Sequence, residues 1–128
     1  MDSVINWHDK VFETSEDLRE LNKIIAQRLS PESLVFVEVE IDGKIQVHSH
    51  SFDKNTTWFV VPDYSTDTDA ALRLVRNLPQ GHIFMLILKT NGRYKAVIQC
   101  RYDATKDKVD KAETAALAIC KTWLAWTD

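Results

Sequence analysis

The sequence predicts an α/β (α+β) sandwich, in which a mostly antiparallel sheet of about five strands is covered by helices on both sides. Three observations carry this expectation. Residues 83–100, IFMLILKTNGRYKAVIQC, read as a hairpin with two unusually apolar arms around Asn91-Gly92. Apolar rows on both faces of a sheet require cover on both faces, because a solvated sheet alternates apolar with polar. Helical periodicity recurs before, between and after the strand-like runs, so cover is available.

The Asn91-Gly92 turn suits a two-residue loop, since both central residues of a type I′ turn take positive φ. That loop would set Leu88 against Lys95, Leu86 against Val97 and Phe84 against Gln99. The other face would pair Ile87 with Ala96, Met85 with Ile98 and Ile83 with Cys100. A second hairpin spans 34–48 around Asp42-Gly43. Here the apolar pattern favours a three-residue loop, Ile41-Asp42-Gly43, with Val39 opposite Ile45 and Val37 opposite Val47. Thr57 to Val61 reads as a further strand stopped by Pro62, with Trp58 in the core.

The first helix opens at Thr14, where Asp17 completes a capping box, and Pro31 ends it. Leu18, Leu21, Ile25 and Leu29 share one face. The second helix starts in Asp63-Tyr64-Ser65-Thr66-Asp67-Thr68-Asp69, with Ser65 or Thr66 as the N-cap. Ala71, Leu74, Val75 and Leu78 form its buried stripe. Residues 101–111 read as a charged surface loop. Residues 112–126 read as the last helix, with two apolar stripes: Leu117, Cys120, Leu124 and Ala116, Ile119, Trp123, Trp126. That arc is wider than one sheet face can cover. Residues 1–13 read as an N-terminal arm or short strand preceding the rest of a single domain, 1–128.

Composition limits function. At 128 residues the chain can bury roughly two-thirds of its unfolded surface and needs no metal or disulfide to fold. A net charge of −3 argues against binding to duplex DNA or RNA, which calls for a basic stripe. No apolar run approaches membrane length and the N-terminus does not resemble a signal peptide, so a cytoplasmic protein without membrane partners is expected. Cys100 and Cys120 stand in apolar segments and read as small core residues, inert as nucleophiles.

Candidate chemistry is sparse. His48-Ser49-His50 would point two imidazoles to one face of a strand, with Asp53 as a possible third zinc ligand; the simpler reading is a polar strand end. The alternating acids of 63–69 lack the Gly and Glu that a calcium loop needs, so they read as helix capping. No nucleophile–base set, paired carboxylates or glycine-rich phosphate loop can be placed. The expectation is therefore a non-enzyme without cofactor or metal; a small hydrolase using His48 or His50 ranks last. Arginines and aromatics outside the core are more informative. Tyr64, Arg93, Arg101 and Tyr102 offer base platforms and phosphate ligands. Trp123 and Trp126 offer a subunit contact, with a homo-oligomer as the expected state.

Two stretches also carry a family resemblance. Pro62-Asp63-Tyr64-Ser65-Thr66-Asp67 with Ala70 and Ala71, and Ala112-Glu113-Thr114-Ala115-Ala116-Leu117-Ala118-Ile119-Cys120-Lys121, resemble the helix start and closing helix of the phage ABA-sandwich domain family. The resemblance covers roughly 18–126. Residues 101–111 look longer than that family's usual link. The resemblance implies an α/β/α sandwich and a phage or prophage accessory protein, without an established catalytic site. By analogy with compact phage proteins that sequester host immune signals, a small nucleotide-like ligand is one expected partner. A docking module for a host or phage protein is the alternative.

Overall fold

The computed structural model describes residue 7, residues 9–51 and residues 57–128. It is a mixed α+β protein with two three-stranded antiparallel sheets and three α-helices. The chain divides into two compact units: Glu13–Asp63, and Tyr64–Asp128 together with the chain start through Phe12. The expected single sheet of about five strands is therefore two separate sheets. Residues 108–112, expected as a surface loop and helix start, form a strand instead.

The unit Glu13–Asp63 begins with α1 (Ser15–Leu29) and continues through β1 (Leu34–Ile41), β2 (Lys44–Ser51) and the short β3 (Phe59–Val60), in sheet order β1-β2-β3. The capping box is present as expected. The Thr14 hydroxyl accepts from the Asp17 N–H at 3.0 Å, and the Asp17 carboxylate accepts from the Thr14 N–H at 3.2 Å. Leu21 and Ile25 are buried, whereas Leu29 at the end of the same stripe is exposed. Trp58 is 43% exposed rather than in the core, and meets His50 edge-on with ring centroids 4.0 Å apart.

The register of β1 and β2 differs from the expected one. Asp42 and Gly43 both take positive φ, +52° and +79°, so the loop has two residues. Ile41 pairs with Lys44, Val39 with Gln46 and Val37 with His48. The apolar pattern failed to set the register because the turn-proximal ends of both strands are exposed on both faces. With no buried face to satisfy, turn geometry decides.

The other unit contains α2 (Thr68–Arg76), β4 (His82–Leu88), β5 (Tyr94–Cys100), β6 (Lys108–Ala112) and α3 (Ala115–Thr127), with sheet order β4-β5-β6. A short 3₁₀ turn, Ala104–Lys106, precedes β6. Asp67, not Ser65 or Thr66, caps α2; its carboxylate accepts from the Asp69 N–H at 3.0 Å, while Ser65 is buried. Thr114 caps α3, so that helix starts after β6 rather than at Ala112.

The β4–β5 register is also one residue from expectation, in the opposite sense. Leu88 pairs with Tyr94, Leu86 with Ala96 and Phe84 with Ile98. The loop has three residues, Thr90-Asn91-Gly92. Lys89 N–H donates to Arg93 C=O at 2.7 Å, and Gly92 N–H donates to Lys89 C=O at 3.0 Å. The Asn91 side chain accepts from the Arg93 N–H at 3.1 Å, and only Gly92, with φ +81°, enters the left-handed region. The asparagine thus holds an Asx turn instead of supplying a positive φ.

α3 resolves the wide apolar arc. It contacts α2, β5 and β6, and its residues from Ala118 to Leu124 are all buried. The excess arc is covered within the chain, so it no longer argues for a subunit contact. Two polar groups go inside with it. Thr122 donates to the Ala96 carbonyl at 3.2 Å, and Lys121 lies 3.2 Å from the Asp110 carboxylate on β6. Trp7 is buried and its indole N–H donates to Asp128 at 2.7 Å. From the other end of the expected N-terminal arm, the Glu13 N–H donates to the Asp17 carboxylate at 3.2 Å; residues 1–6 and 8 of that arm lie outside the described residues.

Candidate functional site

A concave site lies between α1 and β1. On α1, Glu20, Lys23, Ile24, Gln27 and Arg28 follow an i, i+3, i+4, i+7, i+8 progression, so one helix face presents all five. With Phe36 of β1 they line an open groove of about 540 Å³. That volume falls in the range of small-molecule sites. Ile24 and Phe36 supply apolar surface, and Lys23 and Arg28 supply positive charge.

The geometry around the groove is well fixed. Gln27 donates to the Glu32 carbonyl at 2.9 Å and accepts from the Leu34 N–H at 2.9 Å, joining the end of α1 to the start of β1. Ser51 of β2 donates to the Glu32 carboxylate at 2.6 Å. Lys23 sits 2.8 Å from Glu20 and 3.8 Å from Glu38, and Arg19 donates to Glu38 at 2.7 Å. The Arg19 hydrogen bond lowers the Glu38 carboxyl pKa from its ordinary value; burial opposes this, and the charges of Lys23 and Arg19 add to the lowering. An anionic ligand would compete with Glu20 and Glu38 for Lys23. The apolar stripe of α1 dominates its periodicity, so this groove does not stand out in the sequence. The signal is the neighbouring stripe, where Lys23 adjoins Ile24 and Arg28 follows the isoleucine at i+4.

The residues nominated from sequence are dispersed. Arg93 and Arg101 are both exposed, but they flank opposite ends of β5. The eight residue steps from one to the other span on the order of 27 Å along a strand. Tyr64 is buried; burial raises its phenol pKa, and its backbone carbonyl accepts from the Cys120 thiol at 3.1 Å. A tyrosine so enclosed offers no open stacking face. Arg101 and Tyr102 do stand together. Tyr102 is 80% exposed, and its ring lies over Gly81, where a Cβ would collide with it. Arg101 N–H donates to the Gly81 carbonyl at 2.8 Å. Next to Gly81, His82 meets Trp126 edge-on at 5.5 Å between centroids. Trp126 is half-buried, whereas Trp123 is only 5% exposed and presents no surface to another chain.

His48 and His50 lie on one face of β2, as the alternation requires, but their ring nitrogens have local partners. His48 contacts the Gln46 side chain at 3.2 Å and His50 the Ser51 carbonyl at 2.9 Å. Asp53, the third ligand considered for zinc, lies outside the described residues. Among the described residues, no group of three or more His, Cys, Asp and Glu side chains is placed to hold a metal ion. Cys120 is buried and its thiol pKa is driven up by desolvation, while Cys100 is half-buried; both are free. No helix among the described residues is long and apolar enough to cross a membrane.

Comparison with known proteins addresses the fold. A phage protein from Bacillus cereus ATCC 14579, whose crystal structure is known at 2.0 Å, superposes with a TM-score of 0.60 at 22% identity. The match covers 91% of this chain and 99% of that one. No curated protein matches the sequence. The model of the phage ABA sandwich domain matches residues 23–122, which include the α2 start and α3 motifs, and the chain belongs to that family.

Proposed function

We propose that this chain is a non-catalytic phage accessory protein that binds and sequesters a nucleotide-derived immune signal in the host cytoplasm. The observation that supports this reading is the α1–β1 groove, with Phe36 and Ile24 as an apolar wall and Lys23 and Arg28 as cations. A nucleotide-sized ligand needs this combination: apolar contact for a base, and cations for phosphate. Calorimetry with a panel of cyclic ADP-ribose variants and cyclic oligonucleotides tests it. One member is expected to bind, and Lys23→Glu is expected to weaken it at least tenfold. Binding of none of them would end the sponge reading. Binding lost in Arg101→Ala or Tyr102→Ala but kept in Lys23→Glu would move the site to the Gly81 corner.

A second reading, a docking module for a host or phage protein, is favoured by the run Trp58-Phe59-Val60. These three large apolar side chains are consecutive and exposed. A stoichiometric protein recovered from host lysate by the wild type but not by Phe59→Glu, with no small molecule released on denaturation, would select it.

A further inference from the structure

We propose that two copies of this chain pair through β4, edge to edge and antiparallel, to form a continuous six-stranded sheet across a twofold axis. This inference does not depend on the sequestration reading.

β4 is an edge strand, with β5 on one side and no strand on the other among the described residues. Edge strands normally carry a charge, a proline or a bulge that blocks further pairing. His82-Ile83-Phe84-Met85-Leu86-Ile87-Leu88 has no charged side chain beyond a histidine at one end, and no proline. Ile83, Met85, Leu86, Ile87 and Leu88 are all exposed, Leu88 to 62%.

The hydrogen-bond parity fixes which groups are available. Lys89 N–H bonds to Arg93 C=O, and Arg101 N–H bonds to Gly81 C=O. The odd-numbered residues of β4 therefore point their backbone groups at β5, and Phe84, Leu86 and Leu88 point theirs at the open edge. A twofold arrangement must pair even residues with even residues. Centring it on Met85, the middle of the strand, pairs all seven residues. Phe84 then exchanges backbone hydrogen bonds with the partner's Leu86, Ile83 lies opposite the partner's Ile87, and Met85 meets the partner's Met85. All of these cross-strand pairs are apolar, so the strand is complementary to itself and no like charges face each other.

This register has a second consequence. Arg93 and Arg101 are separated within one chain, but across the twofold axis they fall on one row. Arg101 is level with Gly81, Gly81 with the partner's Lys89, and that lysine with the partner's Arg93. Three strand spacings separate the two arginines, about 14 Å, within the combined reach of two arginine side chains. Each end of the dimer sheet thus carries a row of three cations, with the Tyr102 ring lying over Gly81 between Arg101 and the partner's Lys89. A phosphate-bearing anion is the ligand such a row would take.

Light scattering at about 50 µM is expected to give twice the chain mass of 14.7 kDa for the wild type. Met85→Lys, which sets two ammonium groups directly opposite each other, is expected to return it to a monomer with an unchanged circular dichroism spectrum. Met85→Cys is expected to form an interchain disulfide on mild oxidation, because residues on the axis are a non-hydrogen-bonded pair with Cα atoms about 4.5 Å apart. Ile87→Cys, whose twofold mate lies far along the strand, is expected not to. Inorganic pyrophosphate is expected to bind the wild-type dimer at least tenfold more tightly than the Met85→Lys monomer. A wild-type monomer, or a dimer that survives Met85→Lys, overturns the interface. Cross-linking of Ile87→Cys in preference to Met85→Cys overturns the register. Equal pyrophosphate binding by dimer and monomer overturns the shared cation row.

Discussion

The sheets β1-β2-β3 and β4-β5-β6 have the same strand count and the same antiparallel order, yet they place charge differently. In the first unit the ion pairs lie outside. Arg19 and Glu38 meet at 2.7 Å across α1 and β1, with side chains 20% and 38% exposed. In the second unit a pair lies inside. Asp110 and Lys121, on β6 and α3, have side chains only 2% and 8% exposed. The Asp110 carboxylate also accepts from the Lys111 N–H at 2.8 Å, and Lys121 also donates to the Lys111 carbonyl at 3.4 Å. Buried charge is tolerated only where the partners and hydrogen bonds are complete. The second unit is therefore held to one arrangement of β6 against α3, whereas the first allows its charged side chains to exchange with solvent or a ligand.

The sharpest test of this contrast is Lys121→Met. It leaves Asp110 buried without its cation, and is expected to lower stability by about 3–5 kcal/mol in urea unfolding. Adding Asp110→Val to the same chain should recover most of that loss, since an apolar pair of similar volume removes the uncompensated charge. A single-variant loss below about 1 kcal/mol would show that the pair is not buried in solution.

Next in size is apolar packing. Leu124→Ala on α3, where the side chain is fully buried, should cost about 2–5 kcal/mol. Leu29→Ala on α1, half exposed, should stay within about 0.5 kcal/mol. Similar losses at both positions would erase the distinction between the two units.

The turns offer a smaller test. Asp42 has φ +52°, so Asp42→Ala should cost about 1 kcal/mol in thermal melts, from the penalty of an L side chain in that region. Asn91 has no positive φ, so Asn91→Ala should lose only its exposed hydrogen bond to the Arg93 N–H, about half as much. The reverse order would mean that the loop lengths are exchanged between the hairpins.

The smallest expected effect is at Glu38. Its folded-state pKa is depressed, so its contribution is complete above the unfolded-state pKa and is lost as pH falls through the lower folded-state value. Glu38→Gln should cost about 0.5 kcal/mol at neutral pH, discounted for exposure, and nothing once both states are protonated. High salt should shrink it as well. A difference that persists in acid would assign the effect to packing instead of charge.

Local signals were legible from the chain alone. The Thr14–Asp17 capping box, the stop at Pro31, the buried residues Leu21 and Ile25 of α1 and Ala71, Leu74 and Val75 of α2, and the family motifs at 62–71 and 112–121 are readable as written, whereas Leu29 is exposed and Leu78 falls beyond the end of α2. Each depends on atoms within a turn or two, so the sequence states it directly. β6 was not legible, because Lys108-Val109-Asp110-Lys111-Ala112 alternates in the wrong sense for a sheet with an apolar core face. It puts Asp110 inside and leaves Val109 exposed. Only the lysine that α3 brings opposite makes that strand possible.

Tertiary structure also decided the points on which function turns. It divided one expected sheet into two, shifted each hairpin by one residue, and enclosed Tyr64 and Trp123 while leaving Trp58 and Tyr102 outside. It placed Lys23 and Arg28 beside Phe36 in a groove. These outcomes share a physical cause. Register and burial are set by what lies across a strand or over a face, and the residues that supply it are distant in sequence. What the chain determined by itself was the set of helices, the α1 cap and the places where the two hairpins turn; loop lengths, which surfaces meet, and which remain for a ligand or a second copy came from packing.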